Sequence, residues 1–472
     1  MMIDLDRCVG CQACVTSCKE RWDSGTGAAR DWVYEYTSGK RTGDLGITFY
    51  PGLCMQCEEH PCTQDCPTGA TYMDEETGVV MVDPDVCIGC SNCVSMCPYG
   101  ARKPDSKKGI VEKCNLCAPY VKRGEEPACV KTCMANCRFF GDLDDPDSDI
   151  VRRIKQTGAQ PLKTAEIDVK PKVSFAGARH RERIIEGGAL KKPEKSLLTR
   201  VWTTASRPFA SYVVPAFSAA AVVGGMLLNL KNRKEHIARL KKSEGESAIT
   251  LSRHRAGMRF LHWFNALSWV FLLLSGIGLM SAASFALFGT EFPAMIDRVL
   301  GGRASVMKFH VVLGLLWAVV IIPVFLVYKK GGIEALKEVI LTKNDLEWLR
   351  LKPFSMLGMT DTPLPEQEKY NAGQKLFAMA VIAGTAAIII TGLIMAFHLG
   401  PPEIVAACIL VHKLAVAVTF MGVAVHVTMA AVLREERPAL KSMITGKIDY
   451  EHAREHNAGW VREIESRRLQ ED

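Results

Sequence analysis

The sequence predicts a chain in two parts, an α+β soluble domain over about the first 150 residues and an all-α membrane domain behind it. Three observations carry that prediction. Seventeen of the eighteen cysteines fall between Cys8 and Cys137. The uninterrupted apolar runs all lie beyond Phe209. The last of them, LVHKLAVAVTFMGVAVHVTMA at 410–430, holds two histidines, His412 and His426, fourteen residues apart. In a helix that interval lifts the second imidazole about 21 Å above the first and returns it to within about 40° of the same face. Ionisable groups inside membrane segments are rare and by default functional, so two rings on one stripe point to a helix that ligates two stacked haems.

Composition narrows the class. The net charge of +7 on 472 residues is modest and calls for no nucleic acid, because lysines and arginines crowd the loops beside the membrane spans. No charged amino-terminal region followed by an apolar core precedes Cys8, so no cleavable signal is expected, and an exported soluble domain would need another chain to carry it. No nucleophile or acid–base constellation stands out, and no molybdopterin domain. The chain reads as a relay without a catalytic residue.

Sixteen cysteines of the soluble domain form four sets. Cys8, Cys11, Cys14 and Cys18 are spaced C-x2-C-x2-C-x3-C, and Cys87, Cys90, Cys93 and Cys97 repeat that spacing and add Pro98. Between them lie Cys54, Cys57, Cys62 and Cys66, closed by Pro67; Cys114, Cys117, Cys129 and Cys133 follow. A cubane needs four thiolates, and a run of this kind gives three to one cluster while its last cysteine serves a second. Four sets therefore imply four [4Fe–4S] clusters in a ferredoxin-like double domain. Structural zinc sites need two C-x2-C pairs and do not call for the compact run followed by proline. A disulfide framework suits a small secreted domain rather than ligand spacing repeated within one chain. Cys137 and Cys408 are left over and read as buried structural thiols.

The stretches RCVGCQACVTSCKE, LCMQCEEHPCTQDCPTGA, CIGCSNCVSMCPYGAR and KCNLCAPYVKRGEEPACVKTCMANCRFFGDLDDPDS resemble the four-cluster electron-transfer subunit of the DMSO reductase and formate dehydrogenase family. In such subunits the first set pairs with the fourth and the second with the third. The resemblance implies Cys8, Cys11, Cys14 and Cys133 for one cluster and Cys114, Cys117, Cys129 and Cys18 for its neighbour. Cys54, Cys57, Cys62 and Cys97 would hold a third, and Cys87, Cys90, Cys93 and Cys66 the fourth. Met134 stands where the family usually has proline, a departure that bears on local backbone shape.

Residues 151–207 are polar, rich in Lys and Arg and interrupted by prolines, and read as a connector. Residues 208–230 run without a charge, enough for one linking span; Pro215 and the Gly224, Gly225 pair argue for a kink or close helix contact. The basic stretch 231–257, with KNRKEHIARLKK and with His236 and His254 as solvated groups, is expected as a cytoplasmic linker. Spans are then expected at about 262–288, 310–328, 375–397 and 404–432, a four-helix bundle over 258–433, with 434–472 as a cytoplasmic tail. The Lys- and Arg-rich stretch 329–375 is expected inside and 398–407, which has neither residue, outside. Alternation puts 288–308 outside despite Arg298, Arg303 and Lys308.

That topology pairs the histidines: His310 with His412 near the outer face and His262 with His426 near the inner one. A haem held by two imidazoles has no open position and carries electrons only. His398, at the outer end of the third of these spans, is a competing ligand more in keeping with a solvated histidine. Lys413, beside His412, would snorkel to the outer surface or meet haem propionates.

This half resembles the cytochrome b subunit of membrane-bound formate dehydrogenase. The resemblance rests on RFLHWFN, KFHVVLG, the histidine interval of the last span, KYNAGQK at 369–375 and WVREIE near Trp460. It implies a quinone pocket at the inner haem formed with Asn371, Gly373 and His426, for menaquinone or ubiquinone; the residues alone make NAG with Gln374 only a helix start. The chain then looks like a fusion of two subunits that are usually separate. It is expected in the cytoplasmic membrane, with its iron–sulfur domain on the outer face and its linker and carboxyl end inside. Its expected partners are a molybdopterin (Mo or W) catalytic subunit, the membrane quinone pool and the lipid bilayer, in a larger oligomer of the complex. Formate dehydrogenase is the first reading. The alternative runs the relay from quinol to a thiosulfate or polysulfide reductase, which the CAPYVKRGEEPACVKTC stretch resembles as well. A zinc-stabilised membrane scaffold is the non-redox reading.

Overall fold

The computed structural model describes residues 1–25, 27–39, 45–231, 249–282, 284–327 and 337–471. They form two compact units, the first made of Met1–Arg207, Ser275–Lys308 and Ile394–Leu410, the second of Pro208–Leu274, Phe309–Leu393 and Val411–Asp472.

In the first unit the strand Met2–Asp4 lies at the middle of a four-stranded sheet, parallel to Ser174–Ala176 and antiparallel to Arg138–Phe139, with Gln160–Pro161 at the far edge. Three hairpins carry the rest: Asp31–Ser38 with Gly46–Leu53, Thr71–Met73 with Val80–Val82, and Lys103–Asp105 with Ile110–Glu112. The last two hairpins have strands of only three residues, since a closely spaced run of cysteines leaves no room for a long apolar period, whereas the eight-residue strands lie between cysteine sets. Ile3, Leu53, Leu162, Phe175 and Ile184 are fully buried in one core.

Three of those five residues lie in the stretch expected as a connector. Residues 151–207 are instead part of the domain: Ser174–Ala176 supplies a strand, and the helix Asp149–Thr157 is capped by Ser148 Oγ on Val151 N–H and closed by Gly158 at φ 62°. Strands of two and three residues are too short to show an alternation that sequence reading could use.

The same unit takes in two loops from the apolar half. Leu198, Trp202, Phe285 and Ile409 form a second buried cluster, with Ile88 and Cys90 packed against it, and Trp202 stacks on Phe285 at 5.9 Å. Ser284 donates to Asp65 at 2.7 Å.

Among the described residues five helices are long and apolar enough to cross a membrane: Leu197–Lys231, Ala256–Leu279, Arg303–Ile321, Ala372–Ala396 and Pro402–Val432. The first begins eleven residues before the expected 208–230, and the two π-type turns Trp202–Ser206 and Phe209–Val213 flank Pro208, whose ring and missing N–H disturb the regular ladder. The second ends at Leu279 rather than 288, because Met280, Ala282 and Phe285 enter the buried cluster just described.

In the second unit the strand Thr250–Ser252 pairs with Lys447–Asp449, and Leu251, Ile448, Ala453, Trp460 and Val461 close a small core. The ends of the expected linker and tail are thus folded together. His254 is not solvated: its ring stacks on Tyr370, and burial, with Arg253 and Lys369 nearby, lowers its pKa to about 4. His236 and most of KNRKEHIARLKK lie outside the described residues.

Candidate functional site

Each cysteine loop contains left-handed residues that turn backbone N–H groups inward: Gly10 and Gln12, Gln56, Gly89 and Ser91, Leu116 and Cys117. Such curled segments make concavities for anions, iron–sulfur clusters among them. Leu116 N–H lies 3.4 Å from Cys114 Sγ and Ala101 N–H 3.3 Å from Cys97 Sγ.

The structure gathers the cysteines across the sequence sets. Cys8, Cys11, Cys14 and Cys133 line one small void, and Cys137 lines it with them. Cys18 lies within electrostatic reach of Cys114, Cys117 and Cys129, Cys57 of Cys54, Cys62 and Cys97, and Cys90 of Cys66, Cys87 and Cys93. These are the groupings expected from the resemblance. Among the described residues no three His, Cys, Asp or Glu side chains stand at the spacing of a single metal ion. Burial pushes the Cys93 and Cys114 thiols up to about 12, so taking up iron there must displace protons.

Successive groups adjoin one another, with polar residues between them that sequence reading missed. Arg138 donates to Asp31 at 2.9 Å and to Cys14 Sγ at 3.4 Å and also interacts with Cys129, between the first and second groups. Gln56 donates to the Cys114 carbonyl at 3.1 Å, and Cys114 interacts with Cys54, linking the second to the third. Arg102, buried, donates to Cys62 Sγ at 3.0 Å and Thr71 Oγ1 at 3.1 Å and interacts with Cys93, between the third and fourth. Both arginines follow the last cysteine of their set by five residues, a repeat that could have revealed them. The series starts at the group with exposed Cys11 and ends at the one with Cys90, packed against the cluster that contains Ile409.

His398, the competing ligand, is not solvated. It sits at φ 52° past the end of the helix Ala372–Ala396, and its Nε2–H donates to the carbonyl of Cys87 at 3.1 Å. Its ring lies against Gly109, where a Cβ would come within 2.7 Å of it. Cys408 is buried, as expected; Cys137 is buried too, but against Cys133.

In the second unit the histidines come together in the two expected pairs. The His262 and His426 ring centroids are 6.2 Å apart. Two metal–nitrogen bonds of about 2 Å, with each ring centre about 1 Å beyond its nitrogen, give roughly 6 Å, so the spacing fits one iron between them. Phe377 stacks on His426 at 4.7 Å. His310 interacts with His412 and bonds to the Leu272 carbonyl. Thr391 Oγ1 donates to the Ala387 carbonyl at 2.6 Å and so accepts from His412 Nδ1, 2.9 Å away, which leaves Nε2 free for a metal. Lys413 is half-buried on the same helix.

KYNAGQK is tightly braced. Asn371 Oδ1 accepts from Gln374 N–H at 2.9 Å and Gln374 Oε1 from Asn371 N–H at 3.1 Å, a reciprocal cap that bears out the helix start. Lys375 is buried and bonds to Asp345 at 2.9 Å and Glu368 at 2.7 Å. Arg253 and Asn457 hold the Lys369 carbonyl at 2.8 and 3.3 Å. Gly373 lies beside Trp348, and Tyr370 stacks on His254, which interacts with His262.

Comparison with known proteins adds two family matches: residues 45–143 to the 4Fe-4S dicluster domain and residues 253–446 to prokaryotic cytochrome b561. The chain is 42% identical over 183 residues to the B subunit of sulfite dehydrogenase from Allochromatium vinosum, covering 34% of this chain and 76% of that protein. It is 40% identical over 152 residues to the B polypeptide of polysulfide reductase from Wolinella succinogenes, with 32% and 79% covered. It is 36% identical over 191 residues to the iron-sulfur B subunit of a putative dimethyl sulfoxide reductase from Halobacterium salinarum, with 34% and 72% covered.

Proposed function

Because this polypeptide belongs to the family of these iron–sulfur B subunits and carries a cytochrome b561-type domain fused behind it, we propose that it joins a molybdopterin-bearing catalytic partner to the membrane quinone pool. It is an electron-transfer membrane subunit of an oxidoreductase complex. In the proposal the four cysteine groups hold four [4Fe–4S] clusters, and His310 with His412 and His262 with His426 hold two b haems. When bound, these groups supply one-electron redox chemistry. The observation that supports the reading is the pairwise adjacency of successive cysteine groups, from the one with exposed Cys11 to the one with Cys90.

The protein's own residues give the series its properties. Arg138 and Arg102 place buried positive charge between successive groups and so favour the more negative, reduced state on either side. Thr391 orients His412. Asn371, Gly373 and His426 are the proposed quinone contacts, on the inner side. The loops 279–303 and 397–402 share a compact unit with the iron–sulfur domain, which supports one common side for them, the outer side in the proposed topology.

The relatives act on sulfite, polysulfide and dimethyl sulfoxide by name, which favours a partner that acts on a sulfur compound. The resemblance of KYNAGQK to the cytochrome b subunit of membrane-bound formate dehydrogenase is what favours formate as a second reading. Membranes containing the complex should change their b-haem absorbance on addition of sulfite, or of thiosulfate or polysulfide after quinol reduction; a response to formate alone would reverse the order of the two readings. His426→Ala should remove one haem and quinone turnover while the clusters stay reducible. Iron absent from the purified chain would end the proposal.

A further inference from the structure

Cys137 belongs to none of the four sequence sets, yet it is buried at 3% exposure, lines the void that Cys8, Cys11, Cys14 and Cys133 line, and has its Sγ 3.4 Å from Cys133 Sγ and within hydrogen-bonding reach of Cys8. Its place is set by the fold. Its carbonyl accepts from Asp4 N–H at 2.8 Å, on the central strand, and Asn136 at φ 48° reverses the backbone so that the Cys137 N–H also points at Cys133 Sγ, 3.4 Å away. Both sulfurs that it touches belong to the same proposed cluster.

We propose that Cys137 is a fifth sulfur of the outermost group, a thiol that donates its proton to the ligand sulfurs Cys133 and Cys8 and so makes that cluster easier to reduce. The inference rests on the reading that Cys8, Cys11, Cys14 and Cys133 hold a cluster. Thiolates that bind iron have no proton to give, so the only donor left in the three-sulfur contact is Cys137. A hydrogen bond to a thiolate strengthens as that thiolate gains charge. It therefore favours the state with one more electron, and no bond to iron forms or breaks. The site is the one with an exposed ligand, Cys11, so the thiol acts where electrons would be exchanged with a partner. Cys137 is a positioning residue and touches no substrate.

The test compares the full chain with its Cys137→Ala and Cys137→Ser variants by iron content, redox-titrated EPR and proton ENDOR of the reduced protein in H2O and D2O. The relevant signal is the one abolished by Cys11→Ala. We expect iron content to hold, and the equilibrium constant for one-electron reduction of that cluster to fall about tenfold in Cys137→Ala, about 59 mV. Cys137→Ser, which keeps a donor, should recover most of the loss. An exchangeable-proton coupling present in the unaltered chain should vanish only in the alanine variant. A change under about twofold, or equal shifts in both variants, overturns the inference. A three-iron signal in Cys137→Ala also overturns it, because Cys137 would then be a ligand. Absence of any such cluster in the unaltered chain refutes the underlying reading instead.

Discussion

Replacing Arg102 with Met should lower the reduction potential of the cluster at Cys54, Cys57, Cys62 and Cys97 by about 100 mV. The guanidinium donates to Cys62 Sγ at 3.0 Å and is 1% exposed, so water screens it little. With its charge roughly 6 Å from the centre of the group and an effective dielectric of about 20, its attraction for one added electron is about 3 kcal/mol. About 1.4 kcal/mol corresponds to 59 mV for a one-electron couple, and the estimate follows after some allowance for relaxation. The neighbouring group should move in the same direction by less, since Cys93 is not hydrogen-bonded to Arg102 but only interacts with it electrostatically. Redox-titrated EPR reads both shifts, with iron content as the check that the clusters are intact. Arg102→Lys, which keeps the charge and loses the fork, should shift the potential by less than half as much. An Arg102→Met protein with full iron and a shift below about 20 mV, a factor of about two in equilibrium constant, would refute the electrostatic account.

Thr391→Val removes an acceptor of His412 Nδ1 while keeping the side chain's shape; because the ring also bonds to the Ile388 carbonyl, haem retention at that pair should weaken about tenfold, the low end for such partners, as read by transfer to apomyoglobin. The His262 and His426 pair should be unaffected in the same assay. Lys375→Met leaves Asp345 buried without its cation and should cost about 3–5 kcal/mol, visible as a lower thermal midpoint in detergent. Burial pushes the Asp345 carboxyl up, but Lys375 and Thr342 outweigh it and hold the group below its usual value. Its contribution is therefore present above the ordinary carboxylate value, about pH 4, and is lost as pH falls through the folded-state value; Lys375→Met should blunt that acid-side loss.

The legible features were those with a fixed interval. Cysteine spacing announced the ligand sets, and the fourteen-residue step between His412 and His426 announced the helix on which the structure seats both rings against partners. The cross-set grouping of Cys18 with Cys114 or Cys66 with Cys90 depends on long-range folding, and only the family resemblance pointed to it. Residues 151–207 were misread because Leu162, Phe175 and Ile184 sit in very short apolar patches of a charged stretch, and their burial depends on the strand Met2–Asp4, far away in the sequence. His254 and His398 were misread for a related reason. A histidine near the end of a span is usually wetted, and nothing local announces Tyr370 or the cleft at Gly109 that receives each ring.

Met2 pairs with Ser174, so the strand Met2–Asp4 must wait for a partner made about 170 residues later. At about 5–20 residues per second of synthesis, that wait is roughly 10 to 30 s, during which the sheet has a missing neighbour and Ile3 and Leu53 lack the Leu162 and Phe175 side chains that complete their core. The domain closes just before the ribosome delivers the helix that begins at Leu197. Closure and insertion are thus nearly simultaneous, and whatever loads iron into the sulfur loops has to finish within that interval or work on a polypeptide already tethered to lipid.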